Sequence, residues 1–229
     1  MDNYTIITAG GIGSRMATGM PKQFLPIGGR PILMHTFDRF VAYDPDMYFV
    51  LSLPEEFIPY WKELCNKYGF TVKHEIVGGG QTRFHSIKNA LEKVSGNGFT
   101  AVHDGVRPLV SINTLMRAYL TAQEYGNAVV SREIPFSIRM TDKQGSTSVD
   151  RRLYREIQTP QIFRTEHIKK AYEQEYTPLF TDDASVLEQM GEKIHLCEGN
   201  PENIKITTQT DMMVAGVLLE HLKAGNHDQ

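Results

Sequence analysis

Residues 5–16 read Thr5-Ile6-Ile7-Thr8-Ala9-Gly10-Gly11-Ile12-Gly13-Ser14-Arg15-Met16. A short β-branched run ends at once in a glycine-rich turn. That pattern predicts a buried strand feeding a loop whose backbone can approach a phosphate closely, with free amides before a helix that suit an anion. Two familiar phosphate loops do not fit. The P-loop needs Lys-Ser/Thr directly after its last glycine, whereas Gly13 is followed by Ser14-Arg15. The dinucleotide fingerprint wants an acidic residue at the end of the second strand, where Ser52-Leu53-Pro54 stands instead. Arg15 and then Pro21-Lys22-Gln23 add two cations, which suit a triphosphate better than a ribose hydroxyl. A plain glycine turn carrying two solvated cations is the alternative.

Outward from this loop, strand and helix signals alternate. Pro31 to Val41 has helical spacing, and Tyr48 to Leu53 is a near-continuous apolar run, as in a strand buried on both faces. Glu55 to Tyr68 predicts a helix, Thr71 to Val77 a strand, Phe84 to Val94 a helix and Phe99 to His103 another buried strand. Ile112 to Tyr125 reads as a helix and Ala128 to Ser131 as a strand. Helices near Thr165 to Gln174 and Asp182 to Met190, a strand near Lys193 to Cys197 and a helix from Thr210 to about Leu222 follow. The expected fold is α/β, a mostly parallel twisted sheet with helices on both faces, of Rossmann-like type. Between about 132 and 158 the rhythm fails. Asp142-Lys143-Gln144-Gly145 suggests a turn between two extended segments. An isolated hairpin is marginal in water, so this protruding β-hairpin arm is expected to pack on a second copy of the chain, or else to act as a lid. The organisation expected is one domain over residues 1–229 with that arm.

Composition removes several classes. The 229 residues are 41% hydrophobic and 22% charged, which is the globular range. Twenty-four basic and 27 acidic residues give a net charge of -3, against a general nucleic-acid or anionic-membrane binder. The longest apolar stretch, about Met212 to Leu219, falls short of the roughly 20 residues a membrane span needs. The start has neither a basic region nor an apolar signal core. Cys65 and Cys197 are too few for a disulfide framework or a four-thiolate metal site, and suit two reduced thiols in a cytoplasmic protein.

Asp104 follows an apolar strand, at the end of the sheet where ligands bind in open α/β folds. A lone carboxylate there suits Mg²⁺, which takes one or two protein carboxylates plus substrate phosphates. Equally, it can cap a helix or pair with Arg107. His103 and His85 have no partner at metal-ligand spacing and read as structural or polar contacts.

Further motifs are Gly79-Gly80-Gln81-Thr82-Arg83 with Ser86, His103-Asp104-Gly105-Val106-Arg107-Pro108, and Val149-Asp150-Arg151. Gln158-Thr159-Pro160-Gln161, Thr181-Asp182-Asp183-Ala184-Ser185 and Asn203-Ile204-Lys205-Ile206-Thr207 complete the set. With Ala-Gly-Gly-x-Gly-x-Arg-Met and Pro-Lys-Gln-Phe-Leu at the start, the chain resembles the nucleotidyltransferase superfamily, and within it the 2-C-methyl-D-erythritol 4-phosphate cytidylyltransferase family. A sister family, ribitol 5-phosphate cytidylyltransferase, shares much of the pattern, and Val106 is similar to it. The chain departs from the commoner pattern at Gln81, His85 and Gly105-Val106.

The resemblance implies CTP and a sugar-alcohol phosphate as substrates, with Mg²⁺ or another divalent cation and a homodimer that exchanges its arms. A phosphate oxygen of methylerythritol phosphate would attack the α-phosphorus of CTP and pyrophosphate would leave. By the same resemblance Arg15 and Lys22 stabilise the transition state, while Arg151 and Lys205 grip the sugar phosphate, Arg151 in the neighbouring subunit's site. Ala9, Gly10, Gly11, Gly13, Ser14, Gly80, Ser86 and Asp104 would surround the nucleotide, with Asp104 on the metal. Arg107, Ser137 and Thr159 are candidates for the acceptor pocket. A catalytically inactive nucleotide-binding protein would not need Arg15, Lys22, Asp104, Arg151 and Lys205 together. A nicotinamide-dependent oxidoreductase lacks its acidic residue after strand two.

Overall fold

The computed structural model describes residues 3–11 and 20–223. Eleven strands and seven α-helices lie in these residues. They are β1 (Asn3–Thr8), β2 (Pro26–Ile27), β3 (Arg30–Pro31), α1 (Ile32–Tyr43), β4 (Tyr48–Leu53) and α2 (Ile58–Tyr68). Next come β5 (Glu75–Gly78), α3 (Arg83–Leu91), β6 (Phe99–Asp104), α4 (Ile112–Tyr125) and β7 (Asn127–Glu133). The chain continues through β8 (Arg139–Asp142), β9 (Gly145–Ser148), β10 (Arg155–Arg164), α5 (Thr165–Ala171), α6 (Asp183–Glu188), β11 (Leu196–Glu198) and α7 (Gln209–Lys223).

Seven strands form one sheet in the order β11-β7-β10-β6-β1-β4-β5. β1 pairs in parallel with β4 and β6, β4 with β5, and β11 with β7, whereas β10 runs antiparallel between β6 and β7. Burial on both faces explains why β4 and the start of β6 read as largely apolar runs. Ile7, Leu51 and Ala101 point to the face covered by Phe37, Phe40, Trp61 and Leu115 of α1, α2 and α4. Their neighbours Ile6, Val50 and Val102 point to the other face, under Phe84, Ile87, Ile168 and Val186 of α3, α5 and α6. A third cluster seats Ala215 and Leu219 of α7 against Ile27, Ile32, Val106 and Leu109.

Beyond shifts of a few residues at helix ends, two expected strands begin late and one central strand was not expected. The strand expected from Thr71 begins only at Glu75, because His74 turns inward. Its ring donates to the Val72 carbonyl at 2.7 Å and accepts from the Trp61 indole at 2.9 Å, a local bond that competes with the ladder. The strand expected from Lys193 begins at Leu196, because the Asn127 side chain takes the Lys193 carbonyl and the His195 amide in place of a strand partner. The third difference is β10, which no apolar run announces. Of residues 132–158, those up to Glu133 and from Arg155 onward pair within the main sheet. Between them β8 and β9 make a two-stranded hairpin of exposed residues.

Candidate active site

The carboxyl ends of β1, β4, β5 and β6 lie side by side, and the backbone ladder runs on past them. Ala9 N–H donates to the Ser52 carbonyl at 2.9 Å, Gly79 to Leu53 at 2.7 Å, and Gly105 to Thr8 at 2.9 Å. The glycine-rich segment after β1 is thereby fixed beside Gly78-Gly79-Gly80. The buried Gln23 side chain donates to the Ala9 carbonyl at 2.6 Å, which ties the short 3-10 turn carrying Lys22 to the same loop. Ser86, in the first turn of α3, accepts from the Gly80 amide at 3.0 Å and donates to the Thr82 carbonyl at 3.0 Å. Gly10 and Gly79 flank its hydroxyl. A Cβ at either would come within 3.9 or 3.5 Å of Oγ. Gly80 has no room for a side chain, since a Cβ there would sit 2.8 Å from the His85 carbonyl carbon. Ala9, Gly10, Gly80 and Ser86 thus form one rim, with Gly11 next along the chain. Gly13, Ser14 and Arg15 lie outside the described residues.

Next to this rim is a pocket of about 320 Å³, lined among others by Arg83, Asp104, Arg107, Thr159, Gln161 and Lys205. Asp104 closes β6 and is 6% exposed. Its Oδ2 meets Arg107 Nε at 3.1 Å and Lys205 Nζ at 3.1 Å. Burial alone would push this carboxyl up. The Lys205, Arg83 and Arg107 cations, with the Lys205 hydrogen bond, outweigh burial and hold it well below the usual carboxylate range. Asp104 does not cap α4, the helix that follows it, whose cap is Ser111. Arg107 is buried, and its Nη1 donates to the Asn203 carbonyl at 2.7 Å. That bond, with Ile206 N–H to the Val106 carbonyl at 3.0 Å, zips residues 203–206 onto the loop after β6 and delivers Lys205 to Asp104. Val106 is a core residue under α7.

Thr159 comes from β10, whose register shifts between Ile157 and Gln161, at a cis Thr159–Pro160 bond. Its Oγ1 accepts from the Asp104 amide at 3.0 Å and lies 3.1 Å from His103 Nδ1. Burial pushes the His103 imidazole down to about 4, so it is neutral near pH 7. Arg83 opens α3 and makes a bidentate pair with Asp183 at 3.0 and 2.6 Å, and the Tyr172 hydroxyl donates to the same carboxylate at 2.6 Å. Gln161 donates to Asp182 at 2.8 Å and accepts from the Ala184 amide at 2.8 Å, locking the start of α6 beside the pocket.

The structure therefore brings Asp104, Lys205, Arg107 and Thr159 together. It places Arg151 and Ser137 elsewhere, on the exposed excursion between β7 and β10, where Arg151 Nη1 donates to the Pro135 carbonyl at 2.5 Å. Sequence reading assigned no role to Arg83, Gln158, Gln161 or Thr181, which also line the pocket. All four lie inside the sequence motifs, but no spacing signal ties them to one cavity. Among the described residues no cluster of His, Cys, Asp or Glu could hold a metal ion alone. Arg107 and Lys205 both engage Oδ2 of Asp104, so a cation held by this carboxylate would have to be met by Oδ1. A wider groove, about 1000 Å³, lies at the opposite end of β1 and β4, lined by Tyr4, Tyr48, Lys73 and His74, and shares no residue with the pocket around Asp104. No helix among the described residues is long and apolar enough to cross a membrane.

Known proteins resemble this chain in both sequence and fold. The family model IspD, 2-C-methyl-D-erythritol 4-phosphate cytidylyltransferase, matches residues 4–221. Proteins of that name from Bacteroides fragilis and Bacteroides thetaiotaomicron are 49% and 47% identical, over 96% of this chain and 100% of theirs. The 4-diphosphocytidyl-2C-methyl-D-erythritol synthase structure from Anaerococcus prevotii superimposes with a TM-score of 0.81 at 25% identity, covering 96% of this chain and 98% of that one. The cytidylyltransferase structure from Thermus thermophilus gives 0.78 at 28% identity, over 96% and 100%. The chain belongs to the 2-C-methyl-D-erythritol 4-phosphate cytidylyltransferase family.

Proposed function

We propose that this protein transfers a cytidylyl group from CTP to 2-C-methyl-D-erythritol 4-phosphate and releases pyrophosphate. The observation that carries the reading is the Asp104–Lys205–Arg107 cluster with Thr159, set directly beside the glycine rim at the carboxyl ends of the strands. A phosphate oxygen of the acceptor forms a bond to the α-phosphorus of CTP. The bond from that phosphorus to the bridging oxygen breaks, and its electrons leave with pyrophosphate. Charge grows on the non-bridging and leaving oxygens, so the protein's task is positioning and electrostatic stabilisation. Ala9, Gly10, Gly11, Gly13, Ser14, Gly80 and Ser86 surround the nucleotide. Arg15 and Lys22 stabilise the developing charge, and Lys205 holds the acceptor's phosphate. Arg107 serves this pocket from within, by fixing Asp104 and the 203–206 segment.

Mg²⁺ held by Asp104 and the substrate phosphates would neutralise charge on the triphosphate. The reading extends to a cytoplasmic homodimer in which Arg151 and Ser137 complete the partner's acceptor site. What supports this is the exposed hairpin excursion with its apolar Phe136, Met140 and Leu153, which a lone chain leaves in water. The test is pyrophosphate release with CTP and Mg²⁺, supplying methylerythritol phosphate or ribitol 5-phosphate in parallel. Turnover with the first is expected, and turnover with only the second would move the protein to polyol-phosphate activation. Val106, the residue similar to the ribitol enzyme, packs in the core under α7 and favours neither acceptor.

A further inference from the structure

The proton positions around Thr159 are fixed by the atoms that surround it. His103 Nε2 stands 3.0 Å from the Arg107 carbonyl, which can only accept, so Nε2 carries the ring proton. His103 is fully buried, and its two nitrogens meet a carbonyl and a hydroxyl with no carboxylate on either to balance a charge, so the ring holds one proton and Nδ1 is an acceptor. Facing it at 3.1 Å, the Thr159 hydroxyl must donate to Nδ1. The Asp104 amide donates into one lone pair of the same oxygen at 3.0 Å. A hydroxyl has one proton and two lone pairs. Thr159 has thus spent its proton and one lone pair within the protein, and one lone pair is left for the pocket it lines. Its backbone is held as well, since the buried Asn203 side chain donates to the Thr159 carbonyl at 2.8 Å.

We propose that His103 is a positioning residue that makes Thr159 an acceptor-only contact, which reads a hydroxyl group of the acceptor substrate and offers nothing to its phosphate. This rests on the cytidylyl-transfer reading above and names the part of the substrate that Thr159 meets. The division of labour follows from chemistry. Arg83 and Lys205 carry N–H donors and positive charge, which match phosphate oxygens. An oxygen lone pair would repel those same oxygens and instead matches an alcohol O–H. Leaving that lone pair buried and unmatched makes an acceptor without the hydroxyl a poorer substrate.

The experiment measures kcat/KM for 2-C-methyl-D-erythritol 4-phosphate and each of its monodeoxy analogues. Wild type should lose about 10-fold on one analogue, the size expected for one matched hydrogen bond. Thr159→Val should erase that discrimination, and Thr159→Ser should keep it. The two amide substitutions of His103 separate the ring nitrogens. His103→Asn can bring an amide oxygen to where Nδ1 stands and should keep the discrimination. His103→Gln can replace Nε2–H but gives Thr159 no acceptor. It should lose the discrimination, through the acceptor's KM and with KM for CTP unchanged. Inhibition by inorganic phosphate should be the same in wild type and Thr159→Val. Equal use of every analogue by wild type, with normal turnover of the parent, would overturn this inference and leave the cytidylyl-transfer reading standing. Weaker phosphate inhibition in Thr159→Val, or full discrimination in His103→Gln, would overturn it too. If both His103 variants fail to fold, the Thr159 pair decides alone. No turnover of the parent by wild type would remove the reading itself.

Discussion

Asp183 has no side-chain exposure, and its carboxylate carries two bonds from Arg83 and one from Tyr172. Arg83 keeps about a third of its side chain in water, at 34%. The two ends of this pair should therefore fail unequally. Breaking a buried ion pair costs about 3–5 kcal/mol, mostly because the remaining charge is stranded. Asp183→Asn strands a guanidinium that water can partly reach, so about 2–4 kcal/mol is expected. Arg83→Met strands a carboxylate with no access to water, so the full 3–5 kcal/mol applies. In a chain of this size about 3 kcal/mol lowers Tm by roughly 6–12 °C. Urea and thermal unfolding of both single variants and the double variant would close the cycle. The double variant should be less destabilised than the sum by about 1.5 kcal/mol or more, because each single change breaks the same pair. Asp183→Asn should also raise KM for the acceptor, since Arg83 lines the pocket. Additive singles, or an Arg83→Met variant milder than Asp183→Asn, would refute the account.

Arg151→Ala should raise KM for the sugar phosphate with CTP affinity near normal. If acceptor sites are shared across a dimer, mixing it with Lys22→Ala protein should restore activity after demonstrated subunit exchange. Lys22→Ala itself should lower kcat by on the order of 10²-fold or more, as loss of a preorganised charge does, and pyrophosphate release measures it. Gly80→Ala must displace the first turn of α3 and should cost about 1–3 kcal/mol in a denaturant melt while weakening CTP binding. Asp104 has a folded-state pKa below its unfolded value of about 3.9, so its contribution is complete above that pH and fades as pH falls below it. Stability of Asp104→Asn measured from pH 5 down to 2 should accordingly fall less steeply than that of wild type.

Much of the frame was legible because its signals are local. β4 and β6 are buried on both faces over most of their length, so Phe49–Leu51 with Leu53, and Phe99 with Ala101 and Val102, stand out as apolar runs. β10 is equally central but hid behind Gln158, Thr159, Pro160 and Gln161. Their polar groups are matched by side chains and loops far along the chain rather than being excluded from the core. Pro160 gives the sheet no N–H and falls where the register shifts, which is the position a strand tolerates it. The site divides in the same way. Asp104 and Lys205 could be singled out from their motifs. The contacts that define them could not, because Thr159 meets His103 across 56 positions and Arg83 meets Asp183 across 100. Such bonds depend on strand order, and no periodicity carries them.

The two cations on Asp104 illustrate what that order adds. Both reach the same oxygen at the same distance, yet they differ in freedom. The Arg107 side chain is 9% exposed and anchored to the Asn203 carbonyl, whereas the Lys205 side chain is 45% exposed. On the proposed function, an incoming phosphate would therefore compete for Lys205 and not for Arg107. If Lys205 turned to that phosphate, Arg107 would still neutralise Asp104, so the buried carboxylate would not be stranded and the move would be inexpensive. Removing Lys205 should then cost catalysis far more than stability, and removing Arg107 the reverse. Lys205→Met with a near-normal melt and a large loss of kcat/KM, beside an Arg107→Met protein that unfolds early, would bear this out. Equal destabilisation by both would show that Lys205 is also part of the scaffold.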